Sequence, residues 1–85
     1  MTEPTPSPFF LRSEYVTLAH ALKAVGLAGS GGEAKHLVRG GAMRVNGQVE
    51  VQPGRKLRAG DRFGAESGGE WIVAIEPNLG TADPV

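Results

Sequence analysis

The sequence predicts an α+β fold in which two N-terminal helices pack on a small, mainly antiparallel sheet. Three observations carry this expectation. Apolar residues recur with a helical period between Leu18 and Val38. They alternate singly around Asn46-Gly47. Glycine and proline clusters then cut the remainder into short segments of strand length.

Thr17 can cap a first helix whose apolar positions Leu18, Ala21, Leu22 and Val25 fall on one face, with His20 and Lys23 facing outward. Gly26 stands where a left-handed residue would end that helix, and Leu27 supplies the apolar residue that usually follows. Ser30-Gly31-Gly32-Glu33 has the form of a capping box, with the serine oxygen bonding the glutamate amide and the glutamate reaching back to the serine amide. It opens a second helix that buries Ala34, Leu37 and Val38 and presents Lys35, His36 and Arg39 outward until Gly40-Gly41 stops it.

Asn46-Gly47 is a strong hairpin signal between Met43 and Val51. A strict two-residue turn would send Val49 and Val51 to the face opposite Met43 and Val45, so a longer loop or a bulge is expected. Further turns are marked by Pro53-Gly54 and Ala59-Gly60-Asp61, and Arg62–Glu66 can pair with Glu70–Ile75 across Ser67-Gly68-Gly69. Trp71 alternates with Val73 and Ile75 and is read as core. The expected organisation is a flexible tail over residues 1–12, one domain with a C-terminal hairpin over 13–76, and a flexible tail over 77–85.

An 85-residue chain holds one core. The absence of cysteine excludes disulfides and thiolate metal sites. The longest apolar run, Trp71 to Ile75, is far too short to span a bilayer, and the proline-rich start does not resemble a secretory signal, so a soluble cytoplasmic monomer with no membrane partner is expected. Formal net charge is zero, yet it is unevenly spread. From His20 to Arg62 eight Lys or Arg stand against three acidic residues, a local +5, with −1 before and −4 after. Such segregation creates a positive field that phosphates would feel.

Leu22 to Leu27 with Ser30, then Ala34 to Val38 with Gly40-Gly41, then Val45-Asn46-Gly47 with Pro53 and Gly60-Asp61 together resemble the S4 RNA-binding domain, an alpha-L fold, over about Val16 to Phe63. The chain looks like the small standalone bacterial type. In many members an arginine follows the serine that opens the second helix. Here Gly31 and Gly32 do, in a Gly-Gly-Glu-Ala-Lys run similar to that of the standalone subgroup. The resemblance implies non-catalytic binding of structured RNA on a surface made by the second helix and the hairpin. Ribosomal RNA is the first expected target and tRNA the second, with a link to ribosome assembly or maintenance and association with a ribosomal subunit.

The implied RNA-binding residues are Ser30, Gly31, Gly32, Lys35, His36, Arg39, Arg44, Asn46, Arg55, Lys56 and Arg58. Lysine and arginine suit phosphates, and the Gly31 and Gly32 amides at a helix start suit an anion. Asn46 is read chiefly as a turn residue.

No catalytic residue, cofactor or metal is expected. His20 and His36 lie on different helices without a third ligand. Gly29 to Lys35 fails as a phosphate loop because Glu33 and Ala34 separate glycine from lysine, and His36 stands where Ser or Thr should hold magnesium. The competing reading is a protein–protein adaptor that uses the sheet.

Overall fold

The computed structural model describes residues 6–66 and 68–75. The expected tail over 77–85 lies outside the described residues, as do residues 1–5 of the other tail, Ser67 of the last turn, and Glu76.

Two strands precede the helices, which corrects the expectation that the helices come first. β1, Ser7–Leu11, pairs in parallel with β7, Gly68–Ile75, in the register Ser7↔Trp71 to Leu11↔Ile75. This part of the expected N-terminal tail is therefore a sheet strand. β1 lies at the sheet edge, where proline is tolerated because one row of backbone groups needs no partner. Its alternation buries Leu11 and packs Phe9 against the core while Phe10 stays exposed.

β2, Val16–Thr17, pairs antiparallel with β5, Lys56–Leu57, in a separate two-stranded sheet. The main sheet has the order β1-β7-β6-β3-β4, with β3 as Met43–Val45, β4 as Gln48–Val49 and β6 as Arg62–Ala65. All of its pairings other than β1–β7 are antiparallel.

Helix α1, Leu18–Ala24, starts where the Thr17 hydroxyl accepts from the His20 amide. Its end is closed by Leu27 N donating to Leu22 O and Gly26 N to Lys23 O, with Gly26 at φ 85. This pair of bonds is a Schellman closure, and it needs the left-handed residue that glycine supplies. Helix α2, Gly31–Arg39, ends in the same manner, with Ala42 N donating to Leu37 O and Gly41 N to Val38 O.

One core joins both helices to both sheets through Leu18, Leu22, Val38, Leu57, Phe63 and Val73. Phe63 is its largest fully buried side chain, stacked on Trp71 at 5.7 Å and met edge-on by Phe9 at 5.8 Å. Trp71 thus packs against the core as the alternation implied, whereas Ile75 is exposed.

The β3–β4 hairpin departs from expectation. Val45 pairs with Gln48 and Arg44 with Val49, so the turn is a strict two-residue turn, with Asn46 at φ 54 and Gly47 at φ 85. Val49 and Val51 consequently lie in solvent, 52% and 50% exposed. The expectation assumed that both valines must be buried, but β4 is an edge strand, and among the described residues its outer face is left uncovered. The irregularity falls instead at Gly64/Ala65, opposite Gly69. No helix among the described residues is long and apolar enough to cross a membrane.

Candidate nucleic-acid interface

The N-terminus of α2 is built by Ser30, whose Oγ accepts from the Glu33 amide at 3.1 Å. The Glu33 carboxylate reaches past Ser30 and accepts from the Gly29 amide at 2.7 Å, one residue earlier than the capping-box form implied. Gly31 and Gly32 are exposed, and a Cβ on Gly31 would meet nothing within 4 Å. Their amides belong to the first turn, which has no intrahelical acceptors, but the Glu33 carboxylate already brings a negative charge to this end.

Further along α2, Ala34 and Val38 are buried, which fixes the helix rotation and turns Lys35, His36 and Arg39 to solvent. Among the described residues none of these three forms an ion pair within the chain. The cations of the strands and turns divide into two groups. Arg44 pairs with Glu66 at 3.3 Å, and Arg55 pairs with Glu50 at 2.9 Å. Glu50 is further fixed by the Gln52 amide, at 3.2 Å from its other oxygen. Lys56 and Arg58 form no ion pair among the described residues and instead lie over the Tyr15 ring, 4.9 and 5.8 Å from its centroid. Burial of Leu57 between them sends both side chains to the side that Tyr15 occupies.

Asn46 is committed to the fold. Its Nδ2 donates to Asp61, its Oδ1 accepts from the Arg62 amide, and its own amide donates to the Arg62 carbonyl. The loop carrying Arg55 is tied to the start of α1 by Leu18 N donating to Arg55 O and Ala19 N to Pro53 O. The structure therefore brings together Lys56, Arg58 and Tyr15 as one cluster. It keeps Lys35, His36 and Arg39 as a separate exposed helix face, with no hydrogen bond or ion pair between the two.

Two exposed residues were not singled out from the sequence. Tyr15 is brought to the cations only by the β2–β5 pairing, and the Lys56-Leu57-Arg58 alternation was the one local hint of that side. Arg62 is exposed on β6 and forms no ion pair among the described residues.

The family model for the S4 domain matches residues 9–73. The chain belongs to the S4 domain family. Like other S4 domains it is a binding module, and RNA binding is the general activity that membership carries. The matched span begins inside β1 and ends inside β7, and of the pairs between these two strands it takes in Phe9↔Val73. The chain is also 44% identical over 66 residues to the tyrosine–tRNA ligases of two strains of Caulobacter vibrioides, a match covering 73% of this chain and 16% of each ligase. The S4 similarity thus spans about a sixth of the length of those relatives.

Proposed function

We propose that this S4 domain binds structured RNA without catalysing a reaction, and that Lys35, Arg39, Lys56 and Arg58 are its main phosphate contacts. The observation that carries the reading is the division of the cations. These four have no carboxylate partner among the described residues, whereas Arg44 and Arg55 are partly neutralised by Glu66 and Glu50. An unpaired surface cation surrenders only water and counterions when a phosphate arrives, and the released counterions drive association. His36, beside them on α2, and the Ser30-Gly31-Gly32 helix start serve as secondary contacts, and Asn46 serves by shaping the hairpin.

The proposed setting is the cytoplasm and the proposed state a monomer. Two RNA classes divide the reading of the target. Ribosomal RNA, with a role in ribosome assembly or maintenance, follows from the resemblance to standalone S4 proteins. Transfer RNA is favoured by one specific observation, the 44% identity to enzymes whose name makes tRNA their substrate.

The test is a salt series of binding to bulk ribosomal RNA, tRNA and duplex DNA, for the wild type and a folded Lys35→Glu/Arg39→Glu variant. Four neutralised phosphates give a slope of log K against log salt near roughly −3 to −4, and the variant loses both affinity and slope. The RNA bound more tightly decides between the two targets. Unchanged binding by the variant would remove α2 from the interface. Failure to bind either RNA near physiological salt would favour a protein partner.

A further inference from the structure

A groove of about 510 Å3 runs between β1 and α1, walled by Phe10, Leu11, Tyr15, Val16, His20 and Ala24 among others. Tyr15 belongs to two features at once. Its side chain lines this groove and also lies beneath Lys56 and Arg58. Phe10 and Tyr15 are 45% and 39% exposed, and the core does not need them, since Phe63, Trp71 and Phe9 already interlock there. Among the described residues no hydrogen bond engages the Tyr15 hydroxyl, and the ring is positioned by its neighbours and by the two cations, which favour the electron-rich π-system.

An apolar groove with an exposed aromatic ring and two adjoining cations matches the two halves of a nucleotide. A base offers a flat face for stacking, and its phosphate offers the charge that Lys56 and Arg58 lack. Bases inside a duplex keep their faces stacked on one another, so only an unpaired nucleotide can use such a place.

We infer that the β1–α1 groove is a stacking site for one unpaired base of the bound RNA, with Tyr15 as its platform and Lys56 and Arg58 holding the adjoining phosphate. The inference rests on the RNA-binding reading above and adds to it a preference for bulged or looped RNA.

The experiment compares two RNA hairpins, one fully paired and one identical except for a single bulged 2-aminopurine, bound by the full chain. Wild type binds the bulged hairpin more tightly, and the 2-aminopurine fluorescence changes at saturation as the base stacks. Tyr15→Leu, with its fold checked by circular dichroism, loses roughly 5- to 150-fold of the bulged-hairpin affinity, the usual range for one stacked base. Because the ring also lies beneath Lys56 and Arg58, the paired hairpin loses affinity by a smaller factor, and the readout is the ratio of the two affinities, which falls towards one. Tyr15→Phe retains the preference, because the ring and not the hydroxyl stacks. Lys35→Glu/Arg39→Glu weakens both hairpins alike. If wild type binds both hairpins equally, or Tyr15→Leu keeps the preference, the stacking site is overturned while RNA binding stands. If wild type binds neither hairpin, the RNA reading itself falls and the stacking site falls with it.

Discussion

The Asn46 side chain donates from Nδ2 to Oδ1 of Asp61 at 3.1 Å, while the other Asp61 oxygen accepts from the Arg58 amide at 2.8 Å. One carboxylate therefore clasps the β3–β4 turn to the turn that carries Arg58 and leads into β6. Asn46→Ala removes both side-chain bonds of Asn46 and places alanine at positive φ, so it should lower stability by about 2 kcal/mol. Asn46→Gly loses the bonds but not the backbone tolerance and should cost less. Urea denaturation of the two variants separates the contributions. Equal stability of Asn46→Ala and wild type would show that the clasp does not matter.

Gly64 gives the sharpest steric prediction. A Cβ there would collide with the Gly69 carbonyl oxygen and lie 3.0 Å from the Glu70 Cα, both backbone atoms of the paired strand. Gly64→Ala must push β6 and β7 apart and should cost more than about 2 kcal/mol. Gly54→Ala, which meets nothing within 4 Å, should stay within about 1 kcal/mol of wild type. Thermal melts of the pair check the contrast.

The hairpin register can be tested one residue at a time. Val45 is buried and Val49 exposed, so Val45→Thr should destabilise by roughly 1 to 3 kcal/mol through its buried hydroxyl. Val49→Thr should change stability by less than about 0.5 kcal/mol. A cost for Val49→Thr as large as that for Val45→Thr in chemical denaturation would mean that the turn is longer than two residues.

Glu66 and Arg44 are 57% and 45% exposed, so their ion pair contributes less than about 1 kcal/mol to folding. Its larger effect should be on RNA. Glu66→Gln frees the Arg44 guanidinium for a phosphate and should raise affinity a few-fold at low salt, with the gain fading as ionic strength increases. Titrations at two salt concentrations check this. No gain at low salt would place Arg44 outside the RNA contact.

Both helices and their ends were legible because their signals are local: Thr17 and Ser30 at the starts, Gly26 and Gly40-Gly41 at the ends, and one apolar face between. β1 was not legible. Pro8 argued against a strand, and its partner β7 lies at the far end of the described chain, so no nearby residue announces the pairing. The hairpin was misread through the premise that Val49 and Val51 need cover, which an edge strand does not impose. The candidate site was legible as a list of cations, but which of them are already paired depends on Glu66 and Glu50. Arg44 meets Glu66 only through the sheet, and Tyr15 meets Lys56 and Arg58 through long-range pairing that no spacing in the sequence encodes.

The parallel pairing of β1 with β7 also sets an order of events. During synthesis Phe9 and Leu11 emerge well before the strand they pair with, and the loop to be closed spans almost the whole described chain. Helices α1 and α2 can form early from neighbouring residues, whereas the sheet edge must wait for β7. Residues of β1 frame the groove beside Tyr15, so that part of the surface should be the last to take shape. Refolding followed at Trp71 should therefore lag behind the appearance of helix.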